Sequence, residues 1–211
     1  MNRPTLYVFD FDGTLTKGDT FLPFLRHIFG KQKVIRTLVR FLPQLILMRL
    51  HILNNGKVKE RLWCYLFKGM NADIVDTFAH SFAQRHTHLW RQTALQLIQT
   101  IHQSPLSTPE HTDISPLSNI VILTASLGCW VKPFVKQQIP NAHVIATEAE
   151  TDNENRLTGQ FATPNCYGQE KVTRLRQVLP QLHEYHIIAY GDSKGDKQIL
   201  SIANESHYKA F

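Results

Sequence analysis

Asp10 and Asp12 close an apolar run, Leu6-Tyr7-Val8-Phe9, and lead into Gly13, Thr14, Leu15 and Thr16. The run reads as a buried strand. Side chains two apart on a strand point to the same side, so the two carboxylates can converge at its carboxyl end. That edge is where open α/β sheets bind ligands. Two carboxylates this close repel and raise each other's pKa unless a cation neutralises them. The spacing therefore suggests a hard divalent metal with oxygen ligands, Mg2+ first. Gly13 lets the backbone turn sharply, and Thr14 or Thr16 can bond the local backbone. Taken alone, an Asp-x-Asp pair reads equally well as a strand followed by a solvated acidic turn.

Three further segments follow in order: Ile122-Leu123-Thr124-Ala125-Ser126, Gly168-Gln169-Glu170-Lys171, and Tyr190-Gly191-Asp192-Ser193-Lys194-Gly195-Asp196. With the Asp10 to Thr16 stretch, they resemble the four motifs of the haloacid dehalogenase superfamily of aspartate-nucleophile phosphatases. The last motif and the interval before Thr124 look most like its phosphoserine-phosphatase-like branch (subfamily IB), which includes phosphatidylglycerophosphatase C-like proteins. The resemblance covers nearly the whole chain and implies a Mg2+-dependent phosphomonoester hydrolase. Asp10 would be the nucleophile, forming an aspartyl-phosphate that splits one difficult displacement into two. Mg2+ would draw charge off the transferring phosphoryl oxygens. Asp12 would protonate the leaving alcohol and then activate water, its main-chain carbonyl serving as a metal ligand. Asp192 would be the third protein ligand, so the implied metal set is Asp10, Asp12 and Asp192.

Thr124 ends the expected strand where a helix is due, so its hydroxyl and the next N–H groups can meet phosphate oxygens; Ser126 is the competing choice. Lys171, in the first turn of an expected helix, can neutralise phosphate and keep Asp10 ionised. By resemblance Asp196 orients Lys171 or a metal-bound water. Ser193 and Gly195 depart from the Gly-Asp-Gly-x-Asn-Asp pattern of phosphoserine phosphatases, which weakens the case for phosphoserine itself.

The 211 residues are 43% hydrophobic, enough for one domain of about 150 residues plus an insertion. Three widely spaced cysteines, Cys64, Cys129 and Cys166, give neither a disulfide framework nor a zinc motif and read as free thiols in a reducing compartment. Too few residues precede the Asp10 strand for a signal peptide. The expectation is a cytoplasmic protein, with peripheral contact at the inner face of a membrane as an open question. The eleven histidines show no His-Glu-x-x-His pattern. Between Arg26 and Lys68 ten Lys or Arg residues face the single acid Glu60, so that segment carries +9 of the net +6 and the rest of the chain carries −3. A phosphorylated substrate, an anionic membrane or a solvated helix face all suit such a patch; no nucleic acid is expected once the motifs are weighed.

The elements that position these residues are an α/β core and a helical insertion. Residues 1–16 and 104–211 read as the catalytic core, a doubly wound, mostly parallel, Rossmann-like sheet. Residues 17–103 read as an all-helical cap. Asp19 or Thr20 can cap a first helix that stops near Gly30, and a second runs from Lys31 to Leu53, broken or kinked at Pro43. Arg40 and Arg49 bracket its uncharged stretch, which is far short of the ~20 residues of a bilayer span. Further helices are expected at Val58 to Phe67 and from Asp73 to Ile101, followed by a Pro-rich surface loop over Gln103 to Ser118. Strands are expected at Asn119 to Leu123, His143 to Thr147 and His186 to Tyr190, helices at Trp130 to Gln138, Lys171 to Leu179 and Gln198 to Ala203, and a hairpin across Asn153-Glu154-Asn155.

A phosphoacceptor receiver domain also uses an Asp pair, Thr and Lys, but receivers are smaller and leave no carboxylate after the lysine. A non-catalytic anionic-membrane-binding module would be expected to lack some of Asp10, Asp12, Lys171 and Asp192, and all are present. The substrate stays open between a lipid phosphate such as phosphatidylglycerophosphate and a soluble phosphoserine- or histidinol-phosphate-like compound. Asp19 and Arg61 are the candidate cap contacts.

Overall fold

A computed structural model describes residues 3–103 and 119–211. The first strand, β1 (Thr5–Phe9), lies at the centre of a five-stranded sheet whose other members are β2 (Ile120–Leu127), β3 (His143–Thr147), β6 (His186–Gly191) and β7 (Glu205–Tyr208). Their order is β3-β2-β1-β6-β7 and every pairing is parallel. Alternation along β1 sorts the chain into two layers. Leu6 and Val8 join Val121 and Leu123 against Val172 and Leu175 of α6 (Gln169–Val178) and Ile199 of α7 (Lys197–Ile202). Tyr7, Phe9, Ile120 and Ile122 face the opposite way, toward Trp130 and Phe134 of α5 (Gly128–Gln138). Helices on both faces of a parallel sheet make the doubly wound α/β architecture.

Four helices lie between β1 and β2: α1 (Phe21–Arg49), α2 (Asn55–Phe67), α3 (Ala72–Arg85) and α4 (Gln92–Gln103). Asn54 and Asn71 cap α2 and α3, their side-chain oxygens accepting from Gly56 N and Asp73 N at 2.8 Å each. Gly30 kinks α1 with φ +75°, a conformation open to glycine, so the expected stop becomes a bend. At Pro43, where a break or kink was expected, the helix is continuous, and its non-helical φ/ψ lie at Gly30 instead. The expected helical run from Asp73 to Ile101 is interrupted at residues 86–91, where Trp90 pairs with Thr16, Lys17 N donates to Leu89 O at 2.8 Å and Arg91 N to Leu15 O at 2.9 Å. One apolar core runs without a break from these helices to the sheet. Phe24 stacks on Trp130 at 4.9 Å and Trp90 on Phe134 at 5.0 Å.

The hairpin forms as β4 (Ala149–Thr151) and β5 (Leu157–Phe161), with Asn155 at φ +57° in its turn. The fifth strand, β7, went unanticipated because it is a short polar edge strand with little apolar pattern to read. The expected loop over 103–118 lies, from residue 104 on, outside the described residues. Among the described residues no helix is long and apolar enough to cross a membrane.

Candidate active site

Because β1 and β6 are neighbours in register, with Phe9 opposite Tyr190, their carboxyl ends bring Asp10 and Asp192 together. Asp10 N donates to Tyr190 O at 2.9 Å, which fixes the chain at the exit of β1. Gly13 follows at φ +82°, and a Cβ there would run into the carboxylate of Asp192. Thr14 Oγ1 donates to Asp192 Oδ1 at 3.4 Å. Lys171 enters from the first turn of α6, almost wholly buried, and its ammonium donates to Asp10 Oδ1 at 2.5 Å and Asp196 Oδ1 at 2.6 Å. The other oxygen of Asp196 accepts from Ser193 N at 2.9 Å and Ser193 Oγ at 2.7 Å, closing a capping box on the turn after β6.

Carboxylate oxygens of Asp10, Asp192 and Asp196 lie within 4.8 Å of one another. Both oxygens of Asp196 are committed to Lys171 and Ser193, which makes it a brace for the lysine. Asp10, engaged by Lys171 through Oδ1, and Asp192 can present hard oxygen donors of the kind Mg2+ takes. Three carboxylates around one ammonium leave an excess of negative charge that suits a divalent cation, so the donor set fits Mg2+. Without a cation, burial pushes the Asp10 carboxyl up to about 7 against the pull of Lys171, with the Asp196 charge adding to the rise. Burial also works against the Lys171 ammonium, but the two carboxylates outweigh it and raise its pKa above the ordinary lysine value. For Asp196 burial is again opposed, and Lys171 and Ser193 hold it below the usual carboxylate range.

Asp12 points to a different set of partners. Its Oδ1 accepts from Thr20 N at 2.8 Å and its Oδ2 from Ser126 Oγ. Burial, with the nearby charge of Asp19, raises its pKa. Lys59 of α2 completes the group, donating to Ala125 O at 3.1 Å and Ser126 Oγ at 3.4 Å. Burial pushes the Lys59 ammonium down, while Asp12 and Asp19 pull it back up.

Thr124 needs a correction. The strand does not end there: β2 runs on to Leu127 through a register shift against β3, and α5 begins only at Gly128, so Thr124 is not at that helix's amino terminus. Its Oγ1 instead accepts from Ser126 N at 3.0 Å, although Thr124 does line the cavity in front of Asp10. Asp19 lines the same cavity, whereas Arg61 is exposed and does not. Lys59 and Arg91 were missed, and Ser126, weighed only as the alternative to Thr124 on the phosphate, bonds Asp12. Arg91 Nε donates to the carbonyls of Gly13 at 3.2 Å and Thr16 at 3.1 Å, clamping the loop that follows Asp10. Only the Ser126 position carried a sequence signal; Lys59 and Arg91 reach the site through tertiary packing.

A parallel sheet with aspartates at the ends of two adjacent central strands, and a buried lysine joining Asp10 to Asp196, defines a hydrolase of a known kind. The chain belongs to the haloacid dehalogenase-like hydrolase family, whose profile matches residues 7–105 and 118–201. It is 31% identical over 212 residues to Protein CicA of Caulobacter vibrioides, covering 100% of this chain and 88% of that protein. Among solved structures it is similar to a protein of unknown function from Bordetella pertussis Tohama I, with TM-score 0.76 and 18% identity, covering 98% of this chain and 89% of that one. It is also similar to a phospho-aspartyl intermediate analogue of phosphoserine phosphatase, with TM-score 0.57 and 16% identity, covering 97% and 86% of the two chains. At these identities the structures bear on the fold.

Proposed function

We propose that the protein is a Mg2+-dependent phosphomonoesterase that works through an aspartyl-phosphate on Asp10 and takes a lipid phosphate, such as phosphatidylglycerophosphate, as a peripheral cytoplasmic enzyme. Asp10, Asp192 and the main-chain carbonyl of Asp12 hold the metal, which would offset charge on the phosphoryl oxygens. Lys171 and Thr124 meet the phosphate, and Asp196 keeps the lysine extended. Asp12, whose carboxyl burial pushes above the ordinary aspartate value, hands a proton to the leaving oxygen and then takes one from water. Ser126, bonded to Asp12 Oδ2, orients that carboxyl. The segment 17–103 serves as a cap that contributes the substrate-binding wall.

The observation that carries the lipid reading is the cavity. It has a volume of about 960 Å³ and joins Asp10, Asp12 and Asp192 to a wall made by Phe21, Leu22, Leu38, Leu45 and Leu62. A small polar alcohol such as serine would leave that wall wet and unused. A long apolar chain would cover it, and each CH2 so buried is worth about 0.8 kcal/mol. The test is phosphate release from phosphatidylglycerophosphate and lysophosphatidate in detergent micelles, beside phosphoserine and histidinol phosphate, with Mg2+ and with chelator. Preference for the lipid substrates and silence in chelator are expected. Full activity in chelator would remove the metal mechanism, and preference for phosphoserine would remove the lipid.

A further inference from the structure

The helices are fastened to the core. The β4–β5 hairpin of the core is stitched to the helices: Gly69 N donates to Leu157 O, Leu157 N to Met70 O and Ala72 N to Asn155 O, each at 2.8 Å. Phe161 N adds a bond to Glu60 Oε1 at 3.0 Å. Behind them the aromatic core is continuous from α1 to α5. Lifting the helices off the sheet would break all of these contacts, so a swinging lid is a poor route into the site.

One end of the cavity is open and apolar. Val39 and Leu42 line the cavity and are nevertheless 65% and 52% exposed, which puts its mouth on the second half of α1. Ile35, Ile46 and Leu50 continue outward from them and are also exposed. At 100° per residue, Ile35, Val39, Leu42 and Ile46 fall within about 60° of the helix circumference, a single stripe. Exposed Lys31 and Arg49 flank it on one side and Arg36 on the other, none in an ion pair with a described residue, while Lys33 and Arg40 lie farther round the helix, over the rings of Phe29 and Tyr65. No acid occurs between Asp19 and Glu60.

We infer that the second half of α1 docks on an anionic bilayer and seats the cavity mouth there, so that the acyl chains of a substrate enter sideways while the helices stay in place. The sideways entry rests on the lipid-phosphate reading above; the docking does not. An apolar stripe edged by basic residues is the make-up of a helix that lies in a membrane interface. A protein partner would bring shaped contacts and acidic side chains, whereas a bilayer needs only the stripe and the charges. Continuity of the stripe with the cavity wall gives the attachment a direction, since it aims the opening at the lipid.

The full-length protein is sedimented with vesicles of phosphatidylcholine alone and of phosphatidylcholine with phosphatidylglycerol, at low and high salt. Binding is expected to require phosphatidylglycerol and to weaken with salt. With roughly fivefold per charge near such a surface, Lys31→Gln/Arg36→Gln/Arg49→Gln should lower partitioning on the order of 100-fold. Ile35→Ser/Ile46→Ser should lower it with the charges intact. Both variants should hydrolyse p-nitrophenyl phosphate like the parent, since none of the five residues lines the cavity. Equal recovery in the supernatant with both vesicle types at low salt, or unchanged binding by the two variants, overturns the docking face. Vesicle binding as expected beside no hydrolysis of micellar lipid phosphate upholds the docking and removes the lipid substrate. Micellar hydrolysis without vesicle binding does the reverse.

Discussion

Replacing the proposed nucleophile should make the metal-free protein more stable. In the absence of a cation, burial raises the Asp10 carboxyl from 3.8 to about 7, even with Lys171 2.5 Å away. A folded-state pKa above the unfolded value means the native state binds the extra proton, so stability is greatest at low pH and is lost as pH rises from about 4 to about 7. That rise corresponds to a penalty of about 4 kcal/mol for the ionised group above pH 7. Asn has nearly the volume of Asp and carries no charge, and its amide oxygen still accepts from Lys171, which keeps Asp196 as its charged partner. Asp10→Asn should therefore gain up to about 4 kcal/mol over the parent in chelator at pH 8 and show little difference at pH 4, while losing turnover. Urea unfolding at the two pH values measures this directly. Saturating Mg2+ should shift the order back toward the parent, by about 2.7 kcal/mol at a hundredfold excess over Kd. Lower stability of Asp10→Asn in chelator at pH 8, or a parent whose stability is flat between pH 4 and 8, would refute the crowding of negative charge on which the metal site rests.

Gly13→Ala should lose Mg2+ activation and about 1–2 kcal/mol of stability, because the residue sits at φ +82° and a Cβ there would displace the Asp192 carboxylate; a normal Mg2+ titration would count against it. Ser126→Ala removes a hydrogen bond to a carboxyl, worth about 1.5–3 kcal/mol, and should slow turnover roughly 10- to 100-fold with Mg2+ affinity unchanged; an unaltered kcat would separate Ser126 from Asp12. Asn71→Cys with Arg156→Cys, a pair opposite each other in a strand bridge, should form a disulfide that ties the hairpin to the helices and leaves turnover intact; loss of activity on oxidation, restored by reductant, would show that the helices must lift.

The acidic half of the site was legible because it depends on strand ends. Asp10 and Asp192 each follow a short apolar run, and a parallel sheet with those runs as neighbours gathers them whatever the rest of the chain does. Lys171, in the first turn of α6, and Asp196, four residues past Asp192, were read from the resemblance of their motifs. What escaped were contacts made across the sequence. Lys59 reaches Ser126 over 67 residues and Arg91 reaches Gly13 over 78, distances at which no local pattern survives. Thr124 was placed at a helix start because the apolar run Ile120 to Leu123 looked finished, while pairing with β3 carries the strand to Leu127. Pro43 was expected to break or kink α1, but that stretch of the helix is partly exposed on its outer side and continues past the missing N–H. The hairpin was readable from its Asn-rich turn, and its bonds to the helices were not.

The outward face of α1 is the feature the fold itself leaves unexplained. Its apolar demand is already met on the inner side, where Val34 and Phe41 are buried. Ile35, Val39, Leu42, Ile46 and Leu50 face away from that core and contribute nothing to folding that polar residues would not match. In water, contiguous apolar surface of this sort invites association, and soluble domains ordinarily interrupt it with charge. Here the charges are present but sit at the borders, all of one sign, and the stripe runs into the wall of the cavity that ends on Asp10. A surface that costs solubility, adds no core and opens on the chemistry makes sense when its proper solvent is not water. On that argument the sheet fixes the reaction and α1 chooses what reaches it, so exchanging the exposed half of α1 should change the substrate long before it changes the fold.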